Sequence, residues 1–409
     1  MWNKPWTFKE GFIIGGGLLL TGLMLQMAVG PVIWDLFAWP VNIIFVVIYL
    51  AALLGLYAFR KKLYAVQWLM SYTAAIPALA WCAGMTLIMG LTPQLTGTEG
   101  GGIFGISHML SFWSFVLLYW WMATIVGLIT LRRILHFRLA NIPFILNHLG
   151  LFIALVAATL GNADMQRLKM TVKMGTPEWR GVDDSEQIHE LDLAIDLHSF
   201  TIDEYPPKLM LVDNETGKLL PTGNPENILV EDSVMQGKLM DWDIEITQHI
   251  ENAAMVSDED SVNYVLWPSM GATCAVHAYA TNSKTGVKRS GWVTCGSFMF
   301  PYKALKLDDK CSLIMPDREP RRYASDVSVY TEQGDKYEGT IEVNNAMEVN
   351  GWKIYQLSYD EALGKWSDTS VFELVKDPWL PVVYVGIIMM LSGAVCMFAT
   401  ASRRKEEEV

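Results

Sequence analysis

Histidine and cysteine are the residues of this chain that could bind a metal or a haem iron, and one histidine stands out. His148 lies inside the apolar run Phe144-Ile-Leu-Asn-His-Leu-Gly-Leu. An ionisable side chain costs free energy in such a run, so its presence there indicates a functional role. A neutral imidazole can coordinate haem iron through one nitrogen while a hydrogen bond holds the other. The alternative is a neutral histidine that hydrogen-bonds to another helix or to Asn147. Gly150 beside it leaves room for a neighbouring helix or a flat macrocycle.

The five cysteines divide between apolar and polar parts of the chain. Cys82 and Cys396 lie in apolar runs, whereas Cys274, Cys295 and Cys311 lie in a polar middle segment. Cys274 and Cys295 bracket a predicted hairpin and are the preferred disulfide pair, although three cysteines allow three pairings. A structural bridge is favoured over a redox site because no C-x-x-C motif lowers a thiol pKa. No C-x-x-C-H motif is present either, so this chain carries no covalently attached haem.

The remaining histidines and the usual enzyme motifs offer little chemistry. The chain has no P-loop, no G-x-S-x-G and no H-E-x-x-H motif, so the common catalytic signatures are missing. Trp113, Tyr119, Trp120 and Trp121 lie close together and could line a cofactor site, but an aromatic belt or helix packing explains them more simply. The other histidines show no metal-ligand spacing: His108, His136, His189, His198, His249 and His277.

The element that must position His148 is a membrane-spanning helix. Of the 409 residues, 52% are hydrophobic and 18% charged, and the mean hydropathy is +0.25, which excludes a water-soluble enzyme. Apolar runs of about twenty residues can cross roughly 30 Å of hydrocarbon. Such runs predict six spans: Gly11–Gly30, Trp39–Phe59, Ala65–Leu91, Met109–Leu131, Pro143–Gly161 and Leu380–Thr400. His148 then lies about one and a half turns inside the fifth span.

The distribution of basic residues predicts the orientation of these spans. Lys and Arg cluster near the N-terminus, at 60–62, at 132–138 and in the C-terminal tail, and six spans place all four clusters on one side. The loops around Asp35 and at 92–107 contain no Lys or Arg. The positive-inside rule therefore places both termini in the cytoplasm and the segment after Gly161 outside.

The segment 162–377 is predicted to be a large external β-rich domain. Its apolar residues alternate in short runs, such as Trp242-Asp-Ile-Glu-Ile and Trp352-Lys-Ile-Tyr, which is typical of antiparallel strands in a sandwich or barrel-like fold. The net charge is +5 for residues 1–161, −17 for 162–377 and 0 for 378–409, so this domain attracts a basic partner and no nucleic acid. The fold class is a polytopic α-helical membrane protein of six spans with a β-rich domain between spans five and six.

Short motifs follow one another in a recognisable order. In the membrane part they are Leu87-Ile-Met-Gly-Leu-Thr-Pro-Gln, Ser111-Phe-Trp-Ser-Phe, Leu131-Arg-Arg and Asn147-His-Leu-Gly-Leu-Phe. The later part contributes Ser325-Asp-Val, Glu342-Val-Asn, Gly351-Trp-Lys-Ile-Tyr-Gln-Leu-Ser-Tyr and Asp377-Pro-Trp-Leu-Pro-Val-Val-Tyr-Val-Gly. The ordered set resembles the ResB/CcsB family of System II cytochrome c biogenesis. It implies an extra pair of spans (1–62), a three-span core (63–161), the external β-rich domain (162–377), and a last span with a short cytoplasmic tail (378–409).

The resemblance implies a membrane subunit of the System II cytochrome c synthase, which assists the export of haem b and its attachment to external apocytochrome c. His148 matches the family's membrane histidine and is thereby implied as an axial ligand of the haem iron. The expected partners are a ResC/CcsA-type membrane subunit, apocytochrome c and a thioredoxin-like thiol reductant. The expected location is the bacterial cytoplasmic membrane, with the large domain on the periplasmic side. The chain would be a non-autonomous subunit of a haem lyase, with no catalytic residue assigned.

Two other functions stay open. The β-rich domain could be a non-catalytic scaffold or chaperone that holds apocytochrome c while the partner alone handles haem. A membrane sensor is the third hypothesis, but short basic loops and a short tail give it no output module in the cytoplasm. The haem content of the chain purified with its partner distinguishes the first function from the second. If the first is correct, the chain should carry haem and its His148 variant should not.

Overall fold

The chain folds into two units, one of helices and one of strands. The computed structural model describes residues 2–95, 105–231, 236–258 and 261–407, with the backbone alone at 258, 261 and 400–407. The membrane unit comprises Met1–Arg167, Asp183–Gln187 and Val375–Val409. The β unit comprises Leu168–Val182 and Ile188–Leu374.

Among the described residues, six helices are long and apolar enough to cross a membrane, as the sequence predicts. Short 3-10 turns extend the fifth of these segments to Leu139–Asp164. A seventh helix, α3, is too short to span. In chain order the helices are α1 (Phe8–Val29), α2 (Val41–Phe59), α3 (Tyr64–Leu69), α4 (Tyr72–Leu91), α5 (Trp113–Leu135), α6 (Ile142–Gly161) and α7 (Leu380–Glu407).

The third span begins later than the predicted start at Ala65. The chain there forms the separate helix α3, and α4 begins only at Tyr72. Ser71 lies between the two helices with an extended backbone, and its hydroxyl donates to the carbonyl of Trp68 at 2.6 Å. A serine side chain that donates to a carbonyl in this way competes with helical hydrogen bonding. The helix is therefore interrupted within the apolar run.

The fourth span also begins later than predicted. The sequence predicts a start at Met109, but Ile106–Ser111 forms a 3-10 turn and Phe112 is extended, so α5 starts at Trp113. Hydropathy alone does not reveal where the turn ends, because Met109 and Leu110 are as apolar as the residues of the helix. The preceding loop, predicted at 92–107, lies partly outside the described residues.

Glycine lets α6 and α7 pack with their backbones in contact. A Cβ on Gly150 would lie 2.4 Å from the amide nitrogen of Met390, and a Cβ on Gly393 would lie 2.3 Å from that of Asn147. Small residues at such positions are typical of close helix pairs in membranes. The space beside Gly150 is therefore occupied by a neighbouring helix, which is one of the two occupants expected from the sequence.

One carboxylate joins three helix ends of the membrane unit. Asp164 follows α6 and accepts hydrogen bonds from the backbone N–H of Trp39, the side-chain amide of Asn42 and the indole N–H of Trp379, each at 2.7 Å. Hydrogen bonds to a charged acceptor are stronger than those between neutral groups. Because Trp39 and Asn42 lie at the start of α2 and Trp379 precedes α7, this one residue fixes the relative positions of these helix ends.

The strands form three sheets. An eight-stranded sheet has the order β15-β14-β3-β2-β1-β18-β17-β16; a second has the order β11-β10-β8-β7 with β9 beside β8; a third has the order β12-β13-β4-β5 with β6 beside β4. The strands are β1 (Gln166–Lys173), β2 (Glu178–Val182), β3 (Ile188–Glu204), β4 (Lys208–Asp213), β5 (Leu219–Leu220), β6 (Asn227–Leu229), β7 (Gln236–Leu239), β8 (Trp242–Asp258), β9 (Ser261–Leu266), β10 (Thr273–Asn282), β11 (Lys288–Thr294), β12 (Leu305–Lys306), β13 (Cys311–Ile314), β14 (Pro320–Thr331), β15 (Lys336–Glu342), β16 (Met347–Val349), β17 (Trp352–Tyr359) and β18 (Thr369–Lys376).

Two large cores and a smaller cluster around Tyr264 and Trp292 stabilise the described part of the β unit. The eight-stranded sheet encloses a core of its own, since the buried residues of that core, such as Ile195, Val329 and Phe372, all come from its strands. The two smaller sheets share a second core that includes Leu211 and Ile244, which is the arrangement of a β-sandwich. The predicted β-rich domain is confirmed, with both a sandwich part and a barrel-like part.

Candidate functional site

Helix α6 places His148 close to its N-terminal end. Pro143 lies in the first turn of α6, where no N–H is needed and the fixed φ of proline favours a helix start. His148 follows about one and a half turns later and is half-exposed. Its neighbours Asn147 and Gly150 contact α7 instead.

One ring nitrogen of His148 is held by its own helix. Nδ1 lies 3.1 Å from the carbonyl oxygen of Phe144. Because a carbonyl can only accept, Nδ1 carries the proton and the lone pair of the neutral ring is on Nε2. Among the residues that the structure describes, Nε2 has no hydrogen-bond partner. A metal-bound histidine has this same arrangement, with one nitrogen fixed by a carbonyl and the other free to bind.

The imidazole is also held by an aromatic neighbour. The rings of Phe144 and His148 stack with centroids 3.8 Å apart and planes 15° apart. The guanidinium of Arg133, on α5, lies 5.1 Å from the centre of the Phe144 ring and donates to Asn141 Oδ1 at 3.3 Å. These contacts limit rotation of the imidazole, so a ligand at Nε2 would meet a preorganised ring. The nearby positive charge favours a ligand that carries carboxylates.

The alternative role for His148 is a hydrogen bond to another helix or to Asn147. The amide of Asn147 donates to the carbonyl of Met390 on α7 at 2.9 Å. His148 bonds only within α6 among the described residues. A histidine retained for helix association should reach a neighbouring helix, so this alternative lacks its expected contact. The role of His148 as a haem ligand stays a prediction.

The aromatic residues of α5 pack between helices. Trp120 meets Phe45 and Tyr49 of α2 edge-on, with ring centroids 5.2 and 4.9 Å apart, and the hydroxyl of Tyr119 donates to the carbonyl of Leu155 at 3.0 Å. Trp120 and Tyr119 line a cavity of about 230 Å³, whereas ligand pockets usually exceed roughly 300 Å³. Helix packing therefore accounts for these residues better than a cofactor site does.

Three of the other histidines make ordinary structural hydrogen bonds. Nδ1 of His136 lies 3.1 Å from the carbonyl of Arg132. His198 Nε2 lies 2.6 Å from Ser328 Oγ, and His277 Nδ1 lies 2.8 Å from Thr247 Oγ1. A serine or threonine hydroxyl can donate or accept, so either tautomer is satisfied.

The β unit brings together three side chains from two neighbouring strands. His249 and Glu251 lie on β8 and Cys274 lies on the neighbouring β10, with their ligand atoms all within 4.8 Å of one another. The Sγ of Cys274 lies 3.5 Å from Nε2 of His249. That nitrogen also lies 3.5 Å from Oε2 of Glu251. The histidines of the segment 162–377 show no metal-ligand spacing in the sequence, yet the fold places His249 beside two other potential ligands.

The charges around this trio are set by burial and by Arg318. Burial raises the pKa of the Glu251 carboxyl, but hydrogen bonds from His249 and Arg318 outweigh burial and lower that pKa to about 2. Burial, followed by the charge of Glu251, raises the pKa of the Cys274 thiol well above its usual range. At neutral pH the carboxylate is therefore charged and the thiol is protonated.

The two cysteines of the predicted disulfide lie on adjacent strands. Ala275 of β10 pairs with Thr294 of β11, so Cys274 and Cys295 are the next residues in register. Both are free thiols in the structure, as is Cys311. The structure thus contains no bridge at these positions, and the pairing stays a prediction.

Comparison with known proteins supports the family resemblance. Residues 292–367 match the model of the ResB-like family. This segment lies in the β unit and includes Cys295 and Arg318 but neither His148 nor Cys274. The match confirms the family recognised from the sequence and implies an involvement in cytochrome c biogenesis at a general level. No curated protein matches the chain.

Proposed function

Because the chain is a ResB-like protein, we propose that it is a membrane subunit of the System II cytochrome c synthase. In this role it assists the export of haem b and the covalent attachment of haem to apocytochrome c. Haem is a transported substrate, and the chain is a non-autonomous subunit of a haem lyase. The observation that carries the proposal is the hydrogen bond from His148 Nδ1 to the carbonyl of Phe144, because it leaves Nε2 to bind iron.

The depth of His148 suits a substrate that is made in the cytoplasm. In the proposed orientation the N-terminal end of α6 is cytoplasmic, so an iron ligand there meets haem soon after it enters the membrane. The guanidinium of Arg133 lies over the Phe144 ring, which stacks on His148. Its positive charge suits the two carboxylates of haem. The imidazole would hold the iron, while the attraction between Arg133 and the haem carboxylates would orient the macrocycle.

A half-exposed His148 cannot enclose a haem by itself. Haem bound at Nε2 would lie on the lateral surface of the membrane unit, so its other face needs a second subunit. A ResC/CcsA-type partner is the proposed second subunit. A thioredoxin-like reductant that keeps the cysteines of apocytochrome c reduced completes the proposed set of partners.

A second function is favoured by the charge of the segment 162–377. Its net charge of −17 attracts a basic client, as a scaffold or chaperone for apocytochrome c would do. In that case the partner alone would handle haem and His148 would be dispensable.

We propose that both termini are cytoplasmic and that the β unit lies on the periplasmic side of the bacterial cytoplasmic membrane. Reporter fusions after Lys62 and Arg138 should then give cytoplasmic signals, because these loops carry the basic clusters. Fusions within 168–374 should give external signals. A matched fusion after Asp35 serves as the external control for a short loop. An external signal from the Arg138 fusion would contradict the six-span orientation.

The function is tested by expressing the chain together with a ResC/CcsA-type subunit and an apocytochrome c. The pair should purify with bound haem and should yield cytochrome c with covalently attached haem. Each subunit expressed alone is the control and should yield much less of both. Normal maturation by the partner alone would contradict the proposed role.

A further inference from the structure

Side chains of three donor types converge at one point of the β unit. His249 and Glu251 lie two residues apart on β8, so strand alternation directs both toward the same face of the sheet. Cys274 lies on β10 at a register shift between Thr273 and Ala275. From this convergence we propose that His249, Glu251 and Cys274 bind Zn²⁺, at a site separate from the proposed haem site.

The distances between the ligand atoms fit a tetrahedral zinc ion. Bonds of about 2.3 Å to sulfur and about 2.0–2.1 Å to nitrogen and oxygen would separate S from N by about 3.5 Å and N from O by about 3.3 Å. The observed separations are 3.5 Å from Cys274 Sγ to His249 Nε2 and 3.5 Å from His249 Nε2 to Glu251 Oε2. Two edges of a tetrahedral face therefore already have the expected length, and the third, from Cys274 Sγ to the Glu251 carboxylate, is at most 4.8 Å.

A proton can satisfy only one of the two contacts of His249 Nε2 at a time. If Nε2 of His249 carries a proton, it donates to Glu251, and the thiol of Cys274 has no acceptor on that nitrogen. If Nε2 is bare, it can accept from the thiol but then faces the lone pairs of a charged carboxylate. A cation at the centre removes this conflict, because all three atoms would direct a lone pair at it.

The surroundings also suit a divalent cation. The other carboxylate oxygen of Glu251 is bound by Arg318, whose Nη1 lies 3.3 Å from Glu204. A hydrogen-bonded carboxylate of this kind is typical of the groups that orient metal ligands. The thiolate and Glu251 would balance the two charges of Zn²⁺, while Glu204 forms ion pairs with both Arg318 and Lys365.

Three protein ligands leave one position of the tetrahedron open. The side chains of His249 and Glu251 are 22% and 47% exposed, and Cys274 lines a cavity of about 390 Å³ together with Cys295, Arg318 and Lys365. A small ligand such as water or a thiol can therefore reach the metal. Sites with three protein ligands and one open position are typical of zinc that does chemistry rather than zinc that only stabilises a fold.

Cobalt is the probe for this site, because Co²⁺ adopts the same geometry and absorbs visible light. The full-length chain is purified in detergent without a histidine tag, treated with a chelator, kept reduced and titrated with Co²⁺. The expected result is one Co²⁺ per chain, with a sulfur-to-cobalt charge-transfer band in the difference spectrum that disappears when Zn²⁺ is added. The reduced state matters because a Cys274–Cys295 bridge would remove the sulfur ligand.

Substitutions identify the ligands. Cys274→Ser should abolish the charge-transfer band, and His249→Gln should weaken Co²⁺ binding at least about tenfold. Cys311→Ser is the matched control, because Cys311 is also a buried free thiol of the β unit and should leave the band unchanged. Zn²⁺ should raise the melting temperature of the wild type and of the control but not that of Cys274→Ser. No band in the wild type, or an unchanged band in Cys274→Ser, would overturn the proposal.

Discussion

Replacing His148 with alanine should leave the complex assembled but remove most of its haem. The side chain is half-exposed, so its loss opens no large core cavity and the helices should still pack. The iron would lose one axial ligand, and we expect the haem content to fall about tenfold or more. Maturation of cytochrome c should fall with it. Haem per complex, measured by absorption after co-purification with the partner, is the readout.

Two controls separate ligation from general damage. Free imidazole should partly restore the haem of His148→Ala, because a small ligand can occupy the vacated coordination position. His136→Ala removes another histidine of the membrane unit that hydrogen-bonds to a carbonyl and should keep its haem. If His148→Ala retains normal haem and still matures cytochrome c, the histidine has a packing role only.

Replacing Gly393 with valine should prevent α6 and α7 from packing. A Cβ at this position would lie 2.3 Å from the amide nitrogen of Asn147 and 2.7 Å from the carbonyl oxygen of Pro143. Both atoms belong to the backbone of α6 and cannot turn aside, so the two helices must separate. We expect a loss of about 3 kcal/mol in stability and a much lower yield of folded chain. The measurement is thermal unfolding of the detergent-solubilised protein.

Gly84→Val is the matched control for this substitution. Gly84 lies in α4, and a Cβ there would meet nothing within 4 Å. The Gly84→Val variant should melt at nearly the wild-type temperature. Equal melting temperatures for Gly393→Val and the wild type would show that the backbones of α6 and α7 are not in close contact.

The membrane helices are predictable from the sequence because each one satisfies a local requirement. Six apolar runs of sufficient length give six helices, since a buried backbone in lipid must form its hydrogen bonds internally. The starts of α4 and α5 are not predictable in the same way. They depend on the extended backbone at Ser71 and Phe112, which hydropathy does not encode.

The strands of the β unit are also predictable, but their pairing is not. Alternation in Leu193, Ile195 and Leu197 indicates a strand with one buried face, and the structure buries all three. One of the two partners of this strand is β14, with Ile195 opposite Val329. Pairing over so long a separation depends on the whole fold, so local patterns give neither the three sheets nor the cores that these sheets enclose.

The two candidate sites also differ in how much of them the sequence predicts. His148 is recognisable because a single ionisable residue in an apolar run is conspicuous. Its free Nε2 is not recognisable, since it depends on the bond from Nδ1 to the carbonyl of Phe144. The trio of His249, Glu251 and Cys274 depends on the register of β8 and β10, so sequence spacing gives no signal for it.

The most direct test of the central claim is to exchange the iron ligand at position 148. His148→Met should give haem with a thioether-to-iron charge-transfer band and a raised reduction potential, because methionine ligation raises the potential of haem. Leu149→Met is the control, since it adds a thioether at nearly the same depth while keeping His148. Its spectrum and potential should match the wild type. If the complex with His148→Met binds normal amounts of haem with the spectrum and potential of the wild type, His148 does not bind the iron.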